Sequence, residues 1–231
     1  MNTETLNKLI IISSPSGAGK TTLCKLLLKK MNNIKLSVSY TSRNIRLNEK
    51  NGRDYYFVTE KKFHDLKKNN YFIETAKNFN NYYGSPYKNI IKAQKNKVHL
   101  LFDIDWKGAR NIRKNYNKKN ILDFFILPPS KKELKKRLIK RGRDNKKEIN
   151  LRLSYAISEM KHYNEYKFIL INENVVLLFK VKYFLLFKYK NKRIALNHED
   201  IVVEIGIIIN PILLKKVILI NIFNKTENIE K

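Results

Sequence analysis

KLIIISSPSGAGKTTLCKLLLKKM, Lys8 to Met31, is the stretch whose reading decides the fold. Leu9 to Ile12 are continuous and mostly β-branched, the texture of a parallel strand buried on both faces, and the polar Ser13 ends it. The loop that follows is Ser14-Pro15-Ser16-Gly17-Ala18-Gly19-Lys20-Thr21. Its glycines let backbone N–H groups curl around phosphate oxygens, Lys20 can reach β- and γ-phosphates, and the Thr21 hydroxyl can hold Mg²⁺. Leu23, Cys24, Leu27, Leu28 and Met31 then recur at helical spacing. A helix N-terminus therefore points at the bound anion and adds its dipole to the cradle. Ser14 stands where the strict G-x-x-x-x-G-K-[ST] pattern asks for glycine, but the required strand and helix flank the loop.

Composition narrows the class of protein. The chain has 231 residues, enough for one sizeable core or a core carrying inserted subdomains. Lys+Arg 48 against Asp+Glu 20 gives +28, which raises a nucleic-acid reading. The lysines are scattered rather than gathered into a stripe, and abundant Lys, Asn, Ile, Tyr and Phe fit codon bias in an AT-rich genome, so a solvated basic surface is expected. The single cysteine, Cys24, cannot form an internal disulfide and suits a reducing cytosol. His64, His99, His162 and His198 show no ligand spacing, and the N-terminus lacks the pattern of a signal peptide. No metal site built from side chains alone and no export are expected.

Further along, Ile34 to Ser39 reads as a second strand. Tyr40 to Tyr87 is polar, aromatic and punctuated by glycine, with a hairpin signal at Asn51-Gly52, and reads as a small mixed β subdomain inserted into the core. Arg43 and Arg46 offer planar forks for phosphate oxygens; Tyr55 and Tyr83 offer hydroxyls. His99 to Trp106 reads as a buried strand ending in two carboxylates, Asp103 and Asp105; either could instead cap the next helix. Ile121 to Leu127 is another strand. After Pro128-Pro129, Ser130 and Glu133 make a capping box that opens a helix closed by Gly142. Arg137 and Arg141 lie four apart on one face of it, and Arg152 follows on the next helix, whose buried face is Ile149, Leu153, Ile157 and Met160. Lys167 to Asn172 returns as a core strand.

Over about residues 8 to 174 the chain resembles the guanylate kinase family, which moves the γ-phosphate of ATP onto GMP. In that family the loop is commonly S/G-P-S-G-x-G-K, so Ser14 is a familiar variant. The resemblance rests on Ser39, Arg43, Arg46, Glu49, Gly52, Asp54, Tyr55, Phe72, Ile73, Glu74, Tyr82, Tyr83, Gly84 and Ser85, and on Asp103, Asp105 and Gly108 for D-I-D-x-x-G. It implies that Ser14 to Thr22 (Pro15, Ser16, Gly17, Ala18, Gly19, Lys20, Thr21 and Thr22) and Asn172 bind ATP. It implies that Arg43, Arg46, Tyr55 and Tyr83 hold the GMP phosphate, with Glu49 and Asp105 in the same pocket, and that Ser39, Glu74 and Ser85 read guanine. Lys20, Arg43, Arg137, Arg141 and Arg152 would be catalytic, the last three closing in a lid, with Thr21 on Mg²⁺ and Asp103 in its outer shell. Guanine's N1–H and 2-amino donors lie side by side, so one carboxylate can accept both, whereas adenine offers neither on that edge.

The expected architecture is a three-layer α/β P-loop fold with a parallel core sheet (1–37, 89–129, 161–174), a GMP-binding subdomain (38–88), a lid (130–160) and a divergent tail (175–231). The tail contains long apolar runs, but Lys180, Lys182, Glu204 and Lys215-Lys216 interrupt both below the length of a membrane span. A divergent helix with extra strands, an interfacial or partner-binding segment, and out-of-frame sequence all fit it. A cytoplasmic monomer or homodimer acting on ATP and GMP, without nucleic acid, is expected. The competing classes are a non-catalytic guanylate-kinase-like interaction module, against which Gly17, Gly19, Lys20 and Thr21 speak, and a basic RNA-binding protein.

Overall fold

A computed structural model of the chain describes residues 7–78, 80–140, 146–172 and 207–208. In chain order the first elements are β1 (Leu9–Ser13), α1 (Lys20–Lys30), β2 (Ile34–Leu36), β3 (Tyr40–Thr41), β4 (Tyr56–Phe57), α2 (Glu60–Lys68), β5 (Phe72–Asn78) and β6 (Asn81–Pro86). There follow α3 (Tyr87–Lys95), β7 (His99–Asp103), α4 (Trp106–Asn115), β8 (Ile121–Leu127), α5 (Lys131–Lys140), α6 (Lys146–Met160), β9 (Phe168–Ile171) and β10 (Ile207–Ile208). One sheet has the order β10-β9-β8-β1-β7-β2, and a second, smaller one the order β4-β3-β6-β5. The chain divides into two compact units, Met1–Ser13 with Leu28–Asp123, and Ser14–Leu27 with Phe124–Lys231.

In the first unit β1 and β2 both pair parallel to β7, Leu9 opposite Leu100 and Ile34 opposite His99. Every residue of β1 is buried, as its uninterrupted apolar run predicts. Helix α4 returns along this layer, and its Arg113 meets the buried Asp123 carboxylate at 3.0 Å, pairing a charge that would otherwise be costly to bury. The small sheet is packed by aromatic rings: Phe63 of α2 stacks on Phe72 and Tyr82.

Two local expectations are corrected here. Asn51-Gly52 does not make a hairpin, because β3 and β4 pair parallel, Tyr40 opposite Tyr56, and a two-residue turn joins only antiparallel strands. Gly52 still takes the positive φ of 77° that the turn signal anticipates, and the Asn51 side chain accepts from the Phe57 N–H to close the loop. Asp103 and Asp105 do not share a strand. β7 ends at Asp103, and Asp105 is the N-cap of α4, its carboxylate accepting from the Gly108 N–H at 2.9 Å, because a short acidic side chain satisfies an orphan helix donor best from that position.

In the second unit β9 pairs parallel to β8, Phe124 opposite Phe168. Ser130 caps α5 as expected, accepting from the Glu133 N–H at 3.1 Å, but the Glu133 carboxylate turns to Arg137 rather than back to the cap. Leu134 and Leu138 of α5 pack on Ala156, Ile149 and Leu153 of α6. Ile207 and Ile208 pair antiparallel to β9, so this part of the tail adds a strand to the parallel sheet. Gly142 and Arg141 lie outside the described residues, as does the rest of the 175–231 tail. Among the described residues no helix is long and apolar enough to cross a membrane.

Candidate functional site

The second unit holds the phosphate loop. Gly17 and Gly19 take φ of 93° and 99°, values that a side chain resists, and the turn closes with the Ala18 N–H donating to the Pro15 carbonyl at 3.2 Å. The loop rests on its surroundings. A Cβ on Gly17 would stand 2.9 Å from Leu134, and one on Gly19 would collide with the Asn172 side-chain nitrogen. Asn172 donates to the Ala18 carbonyl at 2.6 Å, and its own carbonyl accepts from Arg137 at 3.0 Å. Asn172, expected at the nucleotide, is thus placed against the loop backbone, with Arg137 behind it. The Ser16 N–H donates to the Glu159 carboxylate at 3.3 Å, so a loop amide already serves an anionic oxygen. Glu159 carried no sequence signal; it sits in an ordinary charged helix. Lys20, Thr21 and Thr22 open α1, with Thr21 and Thr22 exposed. A hydroxyl on this turn is the hard oxygen donor that Mg²⁺ takes, so the residues present fit a magnesium ion carried by nucleotide phosphates. Arg152 is half-buried on α6.

The first unit holds a different cluster. Arg43 donates through Nη2 to both oxygens of Glu49, at 2.9 and 3.0 Å, and Glu49 also accepts from the Arg46 N–H. Burial would lower the Arg43 pKa, but the Glu49 pair outweighs it and the guanidinium is held charged; the same contacts bring Glu49 down although burial alone would raise it. The Arg43 guanidinium lies 5.5 Å from the Tyr55 ring centre, and Tyr55 meets Tyr83 edge-on at 6.0 Å. The structure therefore brings Arg43, Glu49, Tyr55 and Tyr83 together. Arg46 is exposed on the same loop.

Beside the strand pair β5 and β6, a buried polar chain runs through three elements. The Ser85 hydroxyl donates to Glu74 Oε1 at 2.7 Å, and Ser39 Oγ lies 3.0 Å from Ser85 Oγ. With Ser85 committed to the carboxylate, the Ser39 hydroxyl donates to Ser85. Glu74 is 3 % exposed. Burial pushes its pKa up to about 7; the Ser85 hydroxyl opposes the rise, and the Asp105 carboxylate adds to it. Glu74, Ser85, Ser39 and Asp105, proposed from scattered positions in the sequence, are neighbours. Asp103 closes β7 opposite Ile12, at the carboxyl end of parallel strands.

A Gly-rich loop between a buried parallel strand and a helix, in a chain that also presents a charged Arg43–Glu49 clasp and a buried Glu74 carboxylate, defines a P-loop nucleotide kinase. The chain belongs to the guanylate kinase family: the profile described as "Guanylate kinase" matches residues 6–182. It is 47% identical over 166 residues to the guanylate kinase of Rickettsia prowazekii, covering 72% of this chain and 83% of that one. Against the guanylate kinase of Buchnera aphidicola it is 45% identical over 168 residues, covering 72% and 80%. The crystal structure of guanylate kinase from Anaplasma phagocytophilum superposes with a TM-score of 0.68 at 31% identity, covering 81% of this chain and 89% of that one. The chain is a transferase, a nucleotide-binding kinase that phosphorylates GMP with ATP.

Proposed function

We propose that the two units divide this reaction between them, the loop of the second taking ATP and the clusters of the first taking GMP. The observation that carries the reading is Glu74, a buried carboxylate that accepts from the Ser85 hydroxyl and has the Asp105 carboxylate nearby. Such a group is costly to bury and is suited to a neutral ligand with two adjacent donors, which guanine's N1–H and 2-amino group supply. Arg43, oriented by Glu49, with Tyr55 and Tyr83, takes the GMP phosphate; Arg46 joins from the same loop. Gly17 to Thr22 cradle the ATP phosphates, Lys20 neutralises charge developing on the transferred group, and Thr21 is the protein's ligand for Mg²⁺. When bound, Mg²⁺ neutralises phosphate charge. Asp103, at the end of β7, is the acid placed for the metal's outer shell, and Asp105 completes the Glu74 pocket. No protein nucleophile is required, since an oxygen of GMP attacks in line and the enzyme positions and neutralises. A coupled assay of ADP release from ATP, with each nucleoside monophosphate in turn, tests the reading: GMP alone is expected to give high turnover, and equal use of AMP or UMP sinks it.

Two further outcomes are expected. Arg137→Ala should lower kcat by about ten-fold or more while the GMP dissociation constant stays within about three-fold, because Arg137 buttresses Asn172 and the ATP loop and is proposed to close on the phosphates. Stopped-flow binding and steady-state turnover, measured separately, check it; collapse of GMP binding with kcat intact would place Arg137 in the other site. The second is a pH effect. Guanine binding needs Glu74 ionised, so the GMP KM should rise about ten-fold per unit as pH falls below about 7. In the protein without GMP, the native state keeps this proton longer than the unfolded chain. Stability is therefore full below about pH 4.5 and declines as pH rises to about 7, by about 3 kcal/mol for this group. Thermal melts across that window, with and without GMP, measure it.

A further inference from the structure

Helix α4 meets the open edge of β5, the outer strand of the small sheet, through three side chains in sequence. Lys107 Nζ donates to the Lys77 carbonyl at 3.4 Å, Asn111 Nδ2 to the Thr75 carbonyl at 2.9 Å, and Asn115 Nδ2 to the Ile73 carbonyl at 3.1 Å. The spacing is matched. Four residues of helix advance about 6 Å, and two residues of strand about 6.6 Å, so donors at every fourth helical position meet every second carbonyl of an antiparallel strand. Glu74 lies between the Asn111 and Asn115 rungs. On the same helix Gly108 faces its carboxylate: a Cβ there would stand 2.7 Å from Glu74 Oε2 and 3.2 Å from its Cδ. Gly108 is fixed in turn by its N–H bond to the Asp105 cap.

We propose that α4 is the seat of the base-reading carboxylate, with Gly108 a specificity-determining position whose missing side chain sets the depth of Glu74, and Asn111 and Asn115 positioning residues that set its register. The inference rests on the reading of Glu74 as the guanine acceptor. Glycine inside a helix weakens it relative to alanine, so a site chosen for stability alone would not keep glycine there. The atom a methyl group would displace is the far end of a side chain, not backbone. The fold can therefore absorb Gly108→Ala by turning the carboxylate, which is the change that base reading cannot absorb. The ladder also covers backbone acceptors that an edge strand would otherwise leave open.

The test uses the full chain with three variants, assayed for GMP and ATP kinetics, pH profile and melting temperature. In Gly108→Ala the GMP KM is expected to rise about ten-fold or more, with kcat at saturating GMP nearly retained, the ATP KM unchanged, the pH midpoint for GMP use shifted and the melting temperature no lower. Asn111→Ala, which removes a rung without adding volume, should raise the GMP KM about three-fold or more and shift the same midpoint, and it stands as the test should Gly108→Ala not fold. Glu74→Gln reports on the underlying reading. Wild-type GMP KM and pH midpoint in the folded Gly108 and Asn111 variants, with Glu74→Gln crippled, overturn the seat and leave the reading intact. Wild-type GMP use by Glu74→Gln overturns both.

Discussion

Lys20→Ala is expected to give a folded chain that binds GMP and transfers phosphate at least about 10²-fold more slowly. Lys20 is the first residue of α1, directly after the positive-φ Gly19, so its side chain leaves the chain at the helix N-terminus, where unpaired helical N–H groups favour an anion. Its side chain is not part of the buried core, and the melting temperature should stay within a few degrees of wild type. The contact proposed for Lys20 acts on charge that is spread over the transferred phosphoryl group in the transition state. Removing one such group costs about 10² to 10³ in rate, and more where no neighbour substitutes. Single-turnover ADP formation at saturating ATP and GMP isolates the chemical step, and turnover near wild type would sink the role given to the loop. Lys20→Arg is expected to rescue little, because a planar guanidinium fork does not replace a compact ammonium point charge.

The loop could be foreseen because its chemistry is local. Strand, glycines, lysine and helix follow one another within 24 residues, and the residues that make the cradle are those that form it. The parallel strands β1, β8 and β9 were legible for a similar reason: a continuous apolar run buried on both faces carries its own signature, and Ile121 to Leu127 is β8 to the residue. The cluster proposed to read guanine is different. Ser39, Glu74, Ser85 and Asp105 come from four separated segments, and no periodicity joins them; only the family resemblance named them together. Local signals misled where a tertiary pairing overrode them. Asn51-Gly52 makes its turn, but β4 runs parallel to β3, a choice made by long-range register that no dipeptide encodes. Asp105 reads either as a strand end or as a helix cap, and the first turn of α4 claims it as the cap. Glu159 and the Asn111 and Asn115 rungs were invisible because polar residues on a helix look alike until the partner strand is placed.

Glu74→Gln should show two opposite effects, and their opposition is what identifies the site. The substitution keeps shape and volume, so packing against Ser85 and Gly108 changes little. At pH 8 without GMP, wild-type protein carries a buried carboxylate with Asp105 nearby, and the neutral amide removes that cost. The variant should therefore melt higher than wild type at pH 8, and the gap should close near pH 5, where Glu74 already holds its proton in the native state. Activity should move the other way. Guanine presents two donors to this edge; glutamine offers one acceptor and turns a competing N–H₂ toward the other, leaving a buried donor unmet. A charge-assisted bond is worth about 1.5 to 3 kcal/mol, so losing one and misplacing another should lower kcat/KM for GMP by about 10² to 10⁴. Adenine's ring nitrogen and amino group, by contrast, match an amide, so AMP use should rise relative to GMP and the ratio of the two should shrink steeply. ATP binding, proposed for the loop of the other unit, should be unaffected. A variant that gains stability at pH 8 and loses GMP while keeping ATP places guanine on Glu74; one that keeps its full preference for GMP puts base recognition elsewhere.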